Sequence, residues 1–184
     1  MPQPQRTRPT VLVAGVLDPD EPVVELLAAA TLIPDVQVRL TGNADRLPQK
    51  VRSAAPPNVV FLGYLPYGQF LGEMLAADVV AVFTTDPHVM SRAGQDAIGL
   101  GRPLVASRLP WLRGRFQDAA LFCANEPAAM AQALKRALQD QASLAERSRH
   151  QQVVLRGWRE RGLAQLRLEL AELPSPSWAG LGRG

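Results

Sequence analysis

The feature that most constrains this chain is a set of short apolar runs rich in β-branched residues, separated by segments of helical character. The runs are TVLVAGVL (10–17), DVQVRLTG (35–42), NVVFLGYL (58–65), DVVAVFTT (78–85), RPLVAS (102–107) and AALFCA (119–124). Each reads as a strand, and TVLVAGVL, short, β-branched and ended by Asp18-Pro19-Asp20, as one covered on both faces. Between them lie DEPVVELLAAATLI (20–33), YGQFLGEMLAA (67–77), SRAGQDAIGLG (91–101) and EPAAMAQALKRALQDQ (126–141), which read as helices. ADRLPQKVRSA is a weaker helix interrupted by Pro48, and PWLRGRF is a turn or short helix. Asp20 is expected to cap the first helix, with Glu21 and Pro22 in its first turn.

Alternating strands and helices require right-handed crossovers and hence a parallel sheet. The expected fold is therefore α/β: a doubly wound, mostly parallel sheet of about six strands, Rossmann-like in plan. The expected organisation is a flexible tail at 1–9, a ligand-binding domain at 10–142, a helical extension at 143–173 and a disordered tail at 174–184. No repeat of solenoid period is present.

Bulk properties narrow the function. The net charge of +3 is too small to imply nucleic acid by itself, and the basic residues are nearly all Arg, with only Lys50 and Lys135 as lysines. A single cysteine, Cys123 in an apolar run, rules out an internal disulfide framework and a cysteine-built metal site. A buried inert thiol is its expected state. The start, MPQPQRTRPT, carries no apolar targeting segment, and no run is long enough to span a bilayer, so a cytoplasmic location is expected.

Ligands of such sheets bind beyond the carboxyl ends of the strands. That rule nominates Gly15–Asp20, Thr41–Asp45, Gly63–Tyr67, Thr84–Asp96 and Ser107–Arg115. Neither GxGxxG after the first strand nor GxxxxGK[ST] anywhere is present, which argues against a dinucleotide fingerprint and a P-loop. Arg92, Arg102, Arg108, Arg113 and Arg115 fall in one stretch whose only acid before Arg115 is Asp96. A helix start near Ser91 together with Arg92 makes a competent diphosphate site, although surface arginines more often coat solvated faces. Asp96 sits early in that helix, where a carboxylate can accept two hydrogen bonds from a vicinal diol such as a ribose. The plainer role is stabilisation of the first helical turn, and spacing alone favours that role.

The stretch DVVAVFTTDPHVMSRAGQDAIGLGRPLVAS resembles the donor-binding signature of GT-B glycosyltransferases, in particular the retaining, family-4-like group. DAIGLGRPLVAS is similar to the second half of that signature. TGN, NVVFLGYLP and EPAAMAQALKRAL follow in the expected order, and the likeness runs over about residues 10–142. The resemblance implies the donor-side half of an enzyme that moves a sugar from a nucleotide-diphosphate sugar with retention. It implies Asp96 at the ribose, Ser91, Arg92 and Gly94 around the diphosphate, and Gly63 and Tyr64 by the base. Asn43 of TGN joins this nucleotide-sugar-binding set. His88 stands near where the family has its first acid and is the catalytic candidate the resemblance offers, with Asp86 beside it as a partial substitute. No cofactor and no metal are implied.

Two departures accompany the resemblance. The basic pair that many members carry after the first strand is replaced by the acidic AGVLDPDEP. No acceptor-binding half precedes Val11, so the domain is expected to be inactive without an acceptor-binding domain or subunit. The alternative is a non-catalytic interaction module that kept the half fold; a flavodoxin-like or epimerase-like sheet is a third reading. The last helix carries Leu155, Trp158, Leu166, Leu170 and Leu173 at near-helical spacing among many Arg. Packing on the domain is preferred to membrane contact for this helix, with a homodimer through its stripe as a further possibility.

Overall fold

The computed structural model describes residues 8–172, so most of the first expected tail and all of the second lie outside the described residues. Six strands form one sheet: β1 (Thr10–Val13), β2 (Gln37–Thr41), β3 (Val59–Gly63), β4 (Val79–Val82), β5 (Leu104–Ser107) and β6 (Ala120–Cys123). Their order is β3-β2-β1-β4-β5-β6, and every pairing is parallel. The helices are α1 (Val23–Thr31), α2 (Gln49–Ser53), α3 (Tyr67–Ala76), α4 (Arg92–Gly99), α5 (Pro110–Phe116), α6 (Pro127–Gln139) and α7 (Gln141–Glu172). The order reverses between β1 and β4, which opens a crevice at the carboxyl ends of those two strands.

Alternation along the strands separates the two faces. Val11, Val13, Val38, Leu40, Ala81 and Val105 join one core cluster with Leu26, Leu27 and Ala30 of α1 and Met130, Leu134 and Ala137 of α6. Leu12, Val80, Val82, Leu104 and Ala106 point the other way and are equally buried. On that second face α4 packs on β4 and β5. Arg39 of β2 makes a two-pronged ion pair with Glu73 of α3, at 2.9 and 2.8 Å. With Ala, Val and Leu doing most of the filling, tight helix–sheet approach replaces aromatic bulk.

The strands are shorter than the apolar runs that announce them. β1 ends at Val13; the Ala14 N–H still donates to the Ala81 carbonyl at 2.9 Å, and the chain then leaves the sheet although Val16 and Leu17 are apolar. The expected cap at Asp20 is not made: α1 begins at Val23 after Pro22, with no side-chain cap. Asp20 instead accepts a 2.7 Å hydrogen bond from the Thr84 hydroxyl, a partner 64 positions away. At Pro48 the weak helix divides into a short 3-10 turn at Ala44–Arg46 and α2, which starts directly after the proline.

The described residues fall into two compact units, one ending at Gln152 and the next beginning at Val153. In the first, the opening turns of α7 are anchored: Leu144 is fully buried and the Ser148 hydroxyl donates to the Arg102 carbonyl at 2.9 Å. The Gln152 amide donates to the Ile98 carbonyl at 2.6 Å. The second unit is, in its described part, the remaining turns of the same helix. Among the described residues no helix is long and apolar enough to cross a membrane.

Candidate functional site

A cavity of about 440 Å³ opens at the sheet's carboxyl edge. Gly15, Thr41, Tyr64 and Thr84 bring the ends of β1, β2, β3 and β4 to it, and Ser91, Arg92 and Asp96 bring α4. The volume is that of a pocket for a small organic ligand.

The α4 wall follows from local sequence. Ser91 is extended and caps the helix, its hydroxyl accepting the Gly94 N–H at 3.0 Å. Gly94 is needed for packing, because a Cβ there would lie 2.5 Å from the ring of buried Phe116. Asp96 accepts a 3.3 Å hydrogen bond from the Tyr67 hydroxyl, and the Arg92 guanidinium lies 5.4 Å from the centre of the Tyr67 ring. Tyr67 therefore holds an acid and a base on neighbouring parts of one rim.

Of the residues nominated from sequence, Asp96, Arg92, Ser91 and Tyr64 line this cavity together. Gly63 lies just behind Tyr64 with φ of +71°, and its carbonyl accepts the Gly42 N–H at 3.0 Å. Asn43 is exposed at the mouth of the 3-10 turn, where its side chain accepts the Asp45 N–H at 3.0 Å. His88 is exposed and outside the cavity lining, its backbone N–H donating to the Asp86 carboxylate at 2.8 Å. Of the five clustered arginines only Arg92 lines the cavity. Arg102 is turned to the Ala77 carbonyl, and Arg115 donates to the Gln95 amide oxygen at 2.9 Å.

The β4 edge is braced by a network that the sequence reading did not anticipate. The Thr84 backbone N–H donates to the Ser107 hydroxyl at 3.0 Å, which donates to Asn125 at 2.6 Å. The Asn125 amide returns to the Thr84 carbonyl at 2.8 Å. The Thr84 hydroxyl then fixes Asp20 on the opposite side of the crevice. Three strand ends and the β1 loop are thus tied into one polar frame around the cavity.

The β1 loop was also missed in detail. The Val16 and Leu17 N–H groups donate to the two oxygens of Glu21, at 2.9 and 3.0 Å. Burial pushes the Glu21 carboxyl above its ordinary value, against the pull of those two amides, and the charges of Asp20 and Asp18 push the same way. The acids on the cavity wall are Asp20, Glu21 and Asp96, and the one base is Arg92. At the end of β6, Cys123 is buried and its thiol is pushed up to about 11, mainly by burial. It is an inert core residue. Among the described residues no group of His, Cys, Asp and Glu is arranged to hold a metal.

The sequence pattern of the family described as glycosyl transferases group 1 matches residues 8–140. Sucrose-phosphate synthase from Thermosynechococcus elongatus superimposes with a TM-score of 0.75 at 23% identity, over 89% of this chain and 46% of that one. Anabaena HepE in complex with UDP and glucose gives a TM-score of 0.71 at 19% identity, over 90% of this chain and 49% of that one. The catalytic domain of cholesterol-alpha-glucosyltransferase from Helicobacter pylori gives 0.64 at 15% identity, over 78% of this chain and 94% of that one. The chain spans about half the length of the first two structures. No curated protein sequence matches it.

Proposed function

The chain belongs to the glycosyl transferases group 1 family, and on that premise we propose that it is the donor-binding half of an enzyme that transfers a sugar, with retention, from a nucleotide-diphosphate sugar. Residues 10–142 carry the donor site, and α7 continues beyond them to Glu172. The acceptor is held by a second domain or subunit, because transfer requires both substrates in one cleft.

The observation that carries this reading is the cavity at the β1/β4 switch point, walled by the start of α4 with Ser91, Arg92 and Asp96. In the proposed complex the base lies against Tyr64 and Gly63, and Asp96 accepts from the ribose hydroxyls. The diphosphate meets Arg92 and the positive end of α4, which stabilise charge on the departing group. That the HepE structure contains UDP and glucose supports the choice of ligand class.

Calorimetric titration with UDP, GDP and ADP tests the proposal. One of the three binds, and Asp96→Ala weakens that one about tenfold, the loss of a charge-assisted hydrogen-bond pair. Absence of binding by all three at millimolar concentration overturns the reading, and unchanged affinity in Asp96→Ala removes Asp96 from the site.

The second reading, a non-catalytic interaction module, draws on the exposed position of His88 outside the cavity and on the acidic β1 loop. The two readings part on sugar transfer when the chain is combined with an acceptor-binding half: transfer favours the enzyme, and assembly without transfer favours the module.

A further inference from the structure

The amide groups that follow the first strand of a doubly wound sheet are a natural receptor for phosphate. In this chain they already hold an anion. Val16 and Leu17 direct successive N–H groups at the Glu21 oxygens, 2.9 and 3.0 Å away. Leu17 has φ of +65°, a left-handed conformation that tips adjacent amides toward one point and makes a concave anion receptor. Gly15 makes the room: a Cβ there would lie 2.1 Å from Glu21 Oε2.

We infer that Glu21 is a built-in anion that keeps phosphate off the β1 loop, so that a bound diphosphate is held from the α4 side alone. The inference deepens the nucleotide-sugar reading of the same cavity and rests on it. None of the ion pairs among the described residues involves Glu21. Its acidic neighbour Asp18 is paired with Arg46, while Asp20 accepts from the Thr84 hydroxyl. A phosphate brought to this end of the cavity meets a carboxylate that no ion pair neutralises, with the Gly15, Val16 and Leu17 amides already bonded, whereas at the other wall it meets Arg92. Like charges at such range in a half-buried site repel strongly enough to set affinity. Glu21 is therefore a specificity residue: it permits the nucleoside and weakens the grip on the phosphates.

Inorganic pyrophosphate is titrated into the full chain, and into its Glu21→Gln and Glu21→Ser variants, while the Val16 and Leu17 amide resonances are followed. In the wild-type chain both stay put. Glu21→Gln removes the charge and leaves one of the two amides without an acceptor, since the carboxamide NH2 cannot accept; Glu21→Ser vacates the receptor. In both variants the amides shift, with an affinity at least about tenfold above wild type. Movement in the wild type, or none in either variant, overturns the inference; if Glu21→Ser does not fold, Glu21→Gln decides alone. UDP, GDP and ADP are titrated in parallel with their nucleosides, and the variants bind the preferred diphosphate about tenfold more tightly with nucleoside affinity unchanged. If no nucleotide binds any of the three proteins while pyrophosphate still moves the amides only in the variants, the nucleotide reading fails and Glu21 keeps its role.

Discussion

Gly42→Ala unfolds the chain about 12 °C below wild type, the largest thermal effect expected of any single methyl added here. Gly42 ends β2 with φ of +104°, beyond even the left-handed helical region that L-residues reach. An added Cβ lies 2.6 Å from the Val16 carbonyl carbon and 2.8 Å from its Cα, both backbone atoms that no rotamer change moves aside. The conformational strain and the overlap together amount to about 4 kcal/mol. Gly63 supplies the control. It too is left-handed, at +71°, but nothing lies within 4 Å of its added Cβ. Gly63→Ala therefore bears the conformational term alone, about 1 kcal/mol. Thermal unfolding of both variants checks the pair, and equal effects would mean that contact with the β1 loop contributes nothing. Because Val16 belongs to the cavity wall, Gly42→Ala also weakens ligand binding.

Asn58→Ala has the second largest effect, about 3 kcal/mol. Asn58 is buried just before β3, and its Nδ2 donates to the carbonyls of Ala30, Ile33 and Val36 at 3.0, 3.1 and 3.0 Å. One side chain thus closes the end of α1 and the turn into β2 onto β3. Truncation takes the shared donor from all three in a place that water does not reach; the Ala30 and Ile33 carbonyls keep the Ile33 and Val36 N–H groups, so the loss falls hardest on the Val36 carbonyl. Asn58→Asp is worse at neutral pH, because a carboxylate then faces three carbonyl oxygens. Its folded-state pKa is raised, so the variant regains stability as pH falls toward the ordinary carboxylate range. Denaturant unfolding at neutral and mildly acidic pH measures both, and a pH-independent Asn58→Asp would show that the three carbonyls are not its neighbours.

Architecture was legible because it rests on local pattern. Six short apolar runs and the helices between them dictate a parallel sheet, and only right-handed crossovers remain to choose from. The runs overstate the strands for a physical reason: Val16 and Phe83 are apolar because they wall the cavity, and Leu17 because it packs into the core, not because they pair. The helix start near Ser91 was legible, since the contact that fixes it is local: the Ser91 hydroxyl accepts from Gly94, three positions away. Asp20 was misread as a cap since its partner Thr84 is supplied only by the fold. The same divide runs through the site. Asp96, Arg92, Ser91 and Tyr64 meet because α4 and the β3 end face one crevice, which topology predicts. His88, chosen by alignment with a signature, lies in an exposed turn outside the lining. Glu21 was read as a favourable charge at a helix start, yet its hydrogen bonds run backwards to Val16 and Leu17. The signal that points to them is the pairing of Gly15 with an acid six residues on, in a loop where family resemblance leads one to expect bases.

The central claim is that the carboxyl edge of this sheet receives a sugar nucleotide, its phosphates on the α4 side. A crystal structure of the chain with the nucleotide that binds best in calorimetry tests this most directly. The account predicts the base against Tyr64, the ribose within hydrogen-bonding distance of Asp96 and the phosphates at Ser91 and Arg92, with Glu21 still bound to the Val16 and Leu17 amides. A nucleotide found away from the β1/β4 crevice, or seated there with its phosphates on the β1 loop, contradicts it.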